Sequence, residues 1–394
     1  MKGKIVSAVI AMILLAAVVA CGAQAPEPAP APAPASKPAP APAPTPAPAP
    51  APAPAPKPAP AIELENEISV QFFSSSTPMT PGEQVVKFLS DLYDQEYPKI
   101  NATWKWLPLP VSVNNIDKMP AEQRKYGFTA FLPVTDFLLA RAGGGPEKHK
   151  YAREYTDLLF VGNVSNGGWT FFTKDPELAA DPRKLAGKVV GVVNAPEART
   201  WGSPTLLSNA IFRDAWGIID KVDQIEVSLP EVGGMFEAGM IDAAFWGMAN
   251  NMSGTYTIPG PFIGLLRSSP TYWIPLTQED ADKINAANPW KISLLTLPKD
   301  AIEVPGPPLQ WTNPQDDVTM CDFGGALAVW KETEEDVVYE MLKFIVDNAE
   351  RIKKANLRMQ VDPEKMAQWP GLTKDMVHPG ALRFYETQGI KIGE

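Results

Sequence analysis

Few residues of this 394-residue chain are suited to catalysis. It contains only two histidines, His149 and His378, and neither lies in a spacing typical of metal ligands. No serine, histidine and carboxylate set can be assembled around them. The glycine runs at 143–145 and 233–234 lack the lysine and the spacing of phosphate loops. We therefore expect no enzyme activity, no metal and no cofactor.

Residues that could bind an anion follow two predicted strands. Ser75, Ser76 and Thr77 come after the first strand, and Asn194, Arg199 and Thr200 follow a later one. An arginine offers a planar fork of donors to a carboxylate, and hydroxyl groups near a helix start add further donors. Arg199 has an alternative role in pairing with Glu197, and Thr200 has one in capping a helix.

Aromatic residues also stand where a solute could lie: Trp169, Trp201 and Trp246 are each at or just beyond a predicted strand end or hinge, and Phe131 ends the apolar stretch YGFTAF. Phe131, Trp201 and Trp246 are the candidates for contact with a solute, and Trp169 is a fourth aromatic nearby. Flat rings can stack on planar or apolar solutes and attract cations. This set favours an aromatic or apolar carboxylate, although packing in the core is an equally open role for each tryptophan.

The elements that position these residues alternate between strand and helix. Residues 68–73, 189–193, 225–229 and 241–246 have strand patterns, and helical patterns follow at 81–93, 206–216 and 231–238. A further strand is predicted at 326–330, before an amphipathic helix at 334–349. The pattern predicts α/β units, in which ligands bind at the carboxyl ends of the strands.

The first sixty residues predict export and a membrane anchor. Lys2 and Lys4 precede an apolar stretch that is too short to span a bilayer and that leads into Cys21. We expect residues 1–20 to be a lipoprotein signal peptide and Cys21 to be the acylated residue. The alternating Ala/Pro segment that follows favours an extended stalk of roughly 110 Å, at about 3.1 Å per residue.

Length and charge set the remaining limits. About 330 residues remain after the stalk, more than one hydrophobic core usually supports, which predicts two lobes. The formal net charge of -10 argues against nucleic-acid binding. Because acylation would occupy Cys21, Cys321 has no partner for a disulfide, and we expect it to be a buried thiol.

Three segments resemble the TAXI group of solute-binding proteins of TRAP transporters. They are DPRKLAGKVVGVVNAPEART, EVGGMFEAGMIDAAFWG and VHPGALRFYETQGI, of which the last is the most specific. Its His378, Pro379, Gly380 and Ala381 match the family's His-Pro-Gly-Ala stretch before an aromatic-containing helix. The acidic segment ETEEDVVYEMLKFIVDNAE also looks like the family's penultimate helix.

The resemblance implies a two-lobed, type II periplasmic-binding-protein fold with a ligand cleft between the α/β lobes. It further implies a small-molecule solute, often a carboxylate, and the membrane subunits of a TRAP permease as partners. Two segments depart from the family. Residues 75–79 lack its glycine-rich loop with paired tyrosines, and residues 197–200 retain only the threonine of its Gly-Ser-Gly-Thr stretch.

These arguments predict an extracytoplasmic, lipid-anchored solute-binding protein with four segments. Lobe 1 is expected at 62–162 plus 316–394 and lobe 2 at 163–315, after the signal peptide at 1–20 and the stalk at 21–61. Two alternatives stay open. One is a binding lipoprotein of an ABC permease, and the other is a surface lipoprotein for sensing or adhesion.

Overall fold

A computed structural model describes most residues between 68 and 393. The residues outside the described part are 1–67, 75–85, 92–93, 95–99, 107–110, 126, 146–149, 166, 195–202, 229, 251–255, 258–259, 300, 303–316, 323, 356–358 and 394. The predicted signal peptide, the lipidated Cys21 and the stalk lie among them, as does His149.

The described residues form two sheets, and the first has five strands, four of which run in the same direction. Its strand order is β2-β1-β3-β13-β4, and β1 runs parallel to both β2 and β3, whereas β13 is antiparallel to β3 and β4. All five residues of β13 are buried, as expected for a strand with neighbours on both sides. The strands are β1 Ile68–Ser74, β2 Ile100–Trp106, β3 Gly127–Leu132, β4 Leu158–Asn163 and β13 Ala326–Trp330.

Eight strands in the described part of the chain form the second sheet. Six of them follow the order β11-β12-β5-β8-β6-β7, while β10 pairs with β5 and β9 pairs with β8. The strands are β5 Gly167–Thr173, β6 Val189–Asn194, β7 Asp223–Ser228, β8 Ala243–Asn250, β9 Tyr256–Thr257, β10 Tyr272–Ile274, β11 Ser293–Leu297 and β12 Val318–Asp322.

The two sheets share one topology. In the first sheet β1 lies between β2 and β3, with the antiparallel β13 on the other side of β3. In the second sheet β6 lies between β7 and β8, with the antiparallel β5 on the other side of β8. The chain passes from the first sheet to the second between β4 and β5 and returns between β12 and β13. This repeated arrangement confirms the predicted two-lobed α/β fold.

The return crossing corrects one predicted boundary. Lobe 1 was expected to resume at residue 316, yet β12 pairs with β11 and β5 and is part of the second sheet. β12 is the last strand of the second sheet in chain order. The crossing back to lobe 1 therefore falls after Asp322. We refer below to the first-sheet lobe as lobe 1 and to the second-sheet lobe as lobe 2.

Helices cover the faces of both sheets. Residues 86–91 are helical in the region where the sequence predicts the first helix. The described α-helices are Val111–Asp117, Ala121–Arg124, Val134–Ala142, Pro176–Ala180, Ser203–Ala210, Val232–Glu237, Gly260–Ser268, Gln278–Ala287, Glu335–Asp347, Ala349–Lys354, Pro363–Met366 and Pro379–Thr387. A π-helical turn at Ile211–Ala215 extends one of them, and short 3-10 helices lie at Pro182–Leu185, Ile219–Lys221 and Lys374–Met376.

The helix Glu335–Asp347 shows how the apolar pattern builds the core. Val338, Met341, Leu342 and Ile345 recur at helical spacing and are all buried. The helix packs beside the helix Pro379–Thr387, at whose start the His-Pro-Gly-Ala stretch lies. In the described part of the chain, no helix is both long and apolar enough to cross a bilayer.

His378 has a structural role at the start of the helix Pro379–Thr387. The backbone N–H of Gly380 donates to its Nδ1 at 3.2 Å, so the proton is on Nε2, which donates to the carbonyl oxygen of Thr333 at 3.0 Å. Gly380 is required because a methyl group there would lie 2.1 Å from the carbonyl oxygen of Glu335. The family-like motif therefore fixes the contact between two helices.

Candidate functional site

The candidate site lies where the carboxyl ends of parallel strands in the two lobes meet the following helices. In lobe 1, β1 and β3 end at the same sheet edge, and the helix Val134–Ala142 begins directly after β3. In lobe 2, β6 and β8 are parallel, and the helix Ser203–Ala210 is the next described helix after β6. Helix starts at such an edge carry backbone N–H groups that suit anions.

A hydrogen bond joins these two helix starts across the lobes. The Oγ–H of Ser203 donates to Oδ2 of Asp136 at 2.5 Å. Asp136 lies in the first turn of its helix and is fully buried, while Ser203 is 5% exposed. A carboxylate near a helix start is stabilised by the helix dipole, and a hydroxyl bond to an ionised acceptor is among the stronger hydrogen bonds.

Tyr151 supplies a second hydroxyl to the same carboxylate. Its OH donates to Oδ1 of Asp136 at 3.2 Å, so each oxygen of Asp136 accepts from a different side chain. Burial raises the pKa of Tyr151 well above its ordinary value, and the negative charge of Asp136 raises this pKa further. The phenol therefore stays protonated and remains a donor at any physiological pH.

Thr135 lies beside Asp136 and offers an unused polar atom. Its side chain is fully buried, and its Oγ1 has no hydrogen-bond partner in the part of the chain that the structure describes. A buried hydroxyl without a partner costs free energy, of the order of 1–3 kcal/mol, unless something else bonds to it. The first turn of this helix thus combines a satisfied carboxylate with an unsatisfied hydroxyl.

Most of the predicted solute contacts fall outside the described residues. These are Ser75, Ser76, Thr77, Arg199, Thr200 and Trp201, of whose positions nothing is stated. Asn194 is the last residue of β6, and Phe131 is the fifth residue of β3. Both stand near the carboxyl ends of parallel strands, as the prediction requires, and their roles in binding stay predictions.

Trp246 and Trp169 lie on opposite faces of the second sheet. Trp246 pairs with Thr170 across β8 and β5, while Trp169 pairs with Gly247, and side chains alternate between faces along each strand. Trp169 packs edge-on against Phe245, with ring centroids 6.2 Å apart. The two indoles therefore cannot form adjoining parts of one wall.

Trp246 retains one feature that fits contact with a solute. Its side chain is mostly buried against the cluster that includes Phe172, and its indole N–H has no hydrogen-bond partner among the described residues. An indole N–H is a donor only, so a solute acceptor or a water molecule could satisfy it.

The two chain segments that connect the lobes, between β4 and β5 and between β12 and β13, lie side by side next to this region. We call them the lobe crossings. The backbone N–H of Val164 donates to the carbonyl oxygen of Gly325 at 2.7 Å. In return, the N–H of Gly325 donates to the carbonyl oxygen of Ser165 at 3.1 Å. Gly324 has a positive φ of 49°, a conformation that glycine adopts without strain. Two short paired segments are the type of connection at which lobes can rotate.

Asp136, Tyr151, Thr135 and Ser203 did not stand out in the sequence. A signal was present for Asp136, because Leu132-Pro133 ends a strand and an acid in the next helical turn would lie at its carboxyl end. No pattern links Ser203 to Asp136, since they are 67 residues apart. Tertiary structure alone brings them together.

Other chemistry is not supported by the described residues. They include no group of three or more histidine, cysteine, aspartate or glutamate side chains able to hold a metal ion. Cys321 is a free, buried thiol, as predicted. Burial, and secondly the charge of Asp322, raise the pKa of this thiol, so it stays protonated and unreactive.

Comparisons with known proteins find similar structures and no similar sequences. No protein-family model matches the chain, and no curated protein matches it. Solved periplasmic binding proteins resemble it at 10–11% identity. MatC from Rhodopseudomonas palustris, solved with bound malate, covers 76% of this chain and 92% of its own length with a TM-score of 0.45.

Two further structures give similar values. A TctC solute-binding protein from Polaromonas covers 75% of this chain and 90% of its own, with a TM-score of 0.41. The aliphatic sulphonate binding protein SsuA from Escherichia coli covers 82% and 80%, with a TM-score of 0.40. At this identity and TM-score, none of them assigns a solute to this chain.

Proposed function

We propose that the chain is an extracytoplasmic solute-binding lipoprotein of the TAXI group, which captures a small organic carboxylate for a TRAP-type secondary transporter. The observation that carries this proposal is the repeated topology of the two lobes, with helix starts from both lobes meeting at Asp136 and Ser203. A protein that encloses a solute between lobes needs such a meeting point. It carries out no reaction on the solute.

Rotation about the paired crossings opens and closes the cleft in this proposal. A solute that contacts both lobes favours the closed arrangement by the difference between its affinities for the two states. The hydrogen bond between Ser203 and Asp136 exists only when the lobes approach, so it adds to the stability of that arrangement. The closed form is the one that a permease would recognise.

The solute class follows from the donors at the meeting point. The helix starts at Val134 and Ser203 offer backbone N–H groups, and Thr135 offers a hydroxyl that bonds to no described residue. These groups suit a carboxylate. Asp136 would repel one, but Ser203 and Tyr151 donate to its two oxygens and reduce the charge that faces the solute.

Side chains from the predicted set complete the site in this proposal. Arg199 supplies the cation, with hydroxyl donors from Thr200 and from the residues that follow β1 in the sequence. Trp246 supplies an aromatic surface and an indole N–H that has no acceptor among the residues the structure describes. The remaining proposed contacts are Ser75, Ser76, Thr77, Phe131, Asn194 and Trp201. Together they select a carboxylate with an apolar or aromatic portion.

The amino-terminal segment determines where this capture occurs. Acylated Cys21 holds the protein at a membrane on its extracytoplasmic side, and the stalk at 21–61 lets the two lobes move away from the surface. The membrane subunits of the TRAP permease are the proposed partners. A tethered receptor stays close to its permease, which raises its effective concentration there.

A thermal-shift screen tests the proposal. Residues 62–394 are unfolded and refolded to remove carried-over solute and are then screened against aliphatic and aromatic acids, amino acids and sugars. A solute at 100 times its dissociation constant adds about 2.7 kcal/mol of stability and raises the melting temperature by several degrees.

The substitution Arg199→Ala gives the matched test of the anion contact, with Arg183→Ala as the control. Arg183 is also a cation of lobe 2, but it lies on the 3-10 helix Pro182–Leu185, away from the helix starts. The proposal expects an acid to raise the melting temperature of the wild type and of Arg183→Ala, and to do so less for Arg199→Ala. No shift with any acid would contradict it and would favour a sensing or adhesion protein.

A further inference from the structure

A cavity of about 600 Å³ lies beside the lobe crossings. Such a volume is typical of small-molecule sites. We call it the hinge cavity, and define it by residues from both lobes. Its polar and aromatic lining includes Asn163, Asp322, Glu364, Lys365, Trp369 and Lys391.

The hinge cavity is separate from the candidate solute site. Asn163 ends β4 and Asp322 ends β12, and these strands lie beyond β13 and β5 in the order of their sheets. The solute site lies at β1, β3, β6 and β8, on the other side of those two strands. The crossings therefore lie between the two sites.

Asn163 presents an unused donor to this cavity. Its side chain is only 4% exposed, and its Oδ1 accepts the backbone N–H of Gly325 at 2.8 Å. That bond fixes which end of the amide is oxygen. Its Nδ2 has no partner among the described residues, so the group that Asn163 offers to a ligand is a donor.

Asp322 presents a carboxyl group without a cation. Its Oδ1 accepts the backbone N–H of Gly324 at 2.9 Å, and it forms no ion pair with any described residue. Burial raises its pKa to about 7, and the backbone N–H groups of Gly324 and Gly167 only partly oppose this effect. A cationic group placed beside it would favour the charged carboxylate.

The rest of the lining carries charges of both signs. Lys365 and Lys391 are exposed cations, Glu364 is an exposed anion, and Lys391 has no ion-pair partner in the described chain. The ring of Trp369 is held in place because its Nε1–H donates to the carbonyl oxygen of Lys291 at 3.1 Å. A lining with two acids and two lysines suits a ligand that carries one positive and one negative group and has no net charge.

We propose that the hinge cavity binds a small zwitterion of the amino-acid class. Its ammonium group pairs with Asp322, and its carboxylate accepts from Nδ2 of Asn163 and attracts the lysines at the rim. Because Asn163 belongs to lobe 1 and Asp322 to lobe 2, the bound molecule contacts both lobes next to the crossings. It therefore changes the balance between open and closed arrangements, and so the apparent affinity for the solute.

Isothermal titration calorimetry on the full-length protein in detergent tests this site. The probes are glycine, 3-aminopropanoate, 4-aminobutanoate and 5-aminopentanoate, which vary the distance between the two charges. Butylamine and butanoate are the controls with one charge each. We expect at least one amino acid of the series to bind and to bind at least tenfold more tightly than either control.

Two nearly isosteric substitutions locate the binding. Asp322→Asn keeps the oxygen that accepts from Gly324 but removes the charge, and Asn163→Asp keeps the oxygen that accepts from Gly325 but removes the donor. Each is expected to weaken binding of the best probe at least tenfold. Asp220→Asn, the same change at an exposed position of lobe 2, is expected to leave the affinity unchanged.

Three results would overturn the proposal. In the first, no member of the series binds at millimolar concentration. In the second, butanoate binds as tightly as the best amino acid. In the third, both substituted proteins bind the best probe as tightly as the wild type does. The last result would place the probe elsewhere, and a loss of affinity in Ser203→Ala would then identify the solute site. Thermal melting of each variant without a probe confirms that it is folded.

Discussion

Ser203 and Asp136 connect the first turns of two helices that belong to different sheets, with 2.5 Å between Oγ and Oδ2. The bond is buried, so loss of the hydroxyl leaves the carboxylate with one hydrogen-bond donor fewer. We predict that Ser203→Ala destabilises the protein by about 1–3 kcal/mol, the usual cost of leaving a buried polar group unsatisfied. Denaturant unfolding measures this free energy.

Ser208→Ala is the control for that change. Ser208 is fully buried in the same helix, but its hydroxyl donates to the carbonyl oxygen of Thr205 within lobe 2. Only Ser203→Ala is expected to increase the radius of gyration in solution scattering, because of the two serines only Ser203 forms a hydrogen bond to the other lobe. An equal radius for the two variants would show that the bond does not hold the lobes together.

Gly380→Ala tests the close contact between the last long helices. The added methyl group would lie 2.1 Å from the carbonyl oxygen of Glu335, and neither backbone can move without separating the helices. We predict a loss of about 3 kcal/mol or more in the free energy of unfolding. Gly264→Ala is the control, since nothing lies within 4 Å of a methyl group at this exposed helical position. It is expected to be neutral or stabilising, because alanine has the higher helix propensity.

His378 makes stability depend on pH in the acid range. Burial lowers its pKa in the folded protein, while the unfolded chain keeps the ordinary value of about 6.5. The unfolded chain therefore binds the proton more readily, and stability is lost as the pH falls below about 6.5 towards the folded pKa. We predict that, relative to His378→Asn, the free energy of unfolding of the wild type decreases between pH 7.5 and pH 5.5 for this reason.

His378→Asn separates this effect from other titrations. Asparagine is a good residue at a helix start and can accept the N–H of Gly380, but it does not titrate. All other ionisable groups are common to both proteins, so the difference between them isolates the histidine. If the free energy of unfolding changes by the same amount in the wild type and in His378→Asn between pH 7.5 and pH 5.5, the proposed titration of His378 is wrong.

The sequence predicted the core elements of the fold from local patterns. The β-branched run at 189–193 is strand β6, and the apolar spacing at 334–349 is the helix Glu335–Asp347. These predictions are confirmed because local periodicity determines which face of an element is buried. The end of lobe 2 was wrong by several residues, since β12 joins its sheet by pairing with the distant β5, and pairing leaves no local pattern.

The candidate site was less predictable than the fold. Asn194 could be placed at a strand end because the strand at 189–193 was recognisable, whereas the strand that contains Phe131 was not predicted. The relationship between Asp136 and Ser203 depends on how two lobes meet, and so does the hinge cavity between Asn163 and Asp322. Contacts between segments that are distant in the sequence cannot be predicted from local patterns, and only the three-dimensional structure reveals them.

Asp322 makes stability depend on pH in the opposite direction to His378. Its pKa is raised to about 7 in the folded protein, mainly because burial disfavours the charged form, whereas the unfolded chain has the ordinary value of 3.8. Between these values the folded protein binds the proton and the unfolded chain does not. Stability from this group is therefore greatest at low pH and is lost as the pH rises through about 7.

Asp322→Asn removes that loss while keeping the oxygen that accepts from Gly324. We predict that, relative to the wild type, the variant gains about 2 kcal/mol in unfolding free energy between pH 5 and pH 7.5. Denaturant unfolding at the two pH values, without any amino acid present, measures the gain. Asp220→Asn, at an exposed position, is expected to show none. A constant difference between wild type and Asp322→Asn would mean that the carboxyl group does not titrate between pH 5 and pH 7.5 in the folded protein, and that its pKa is not near 7.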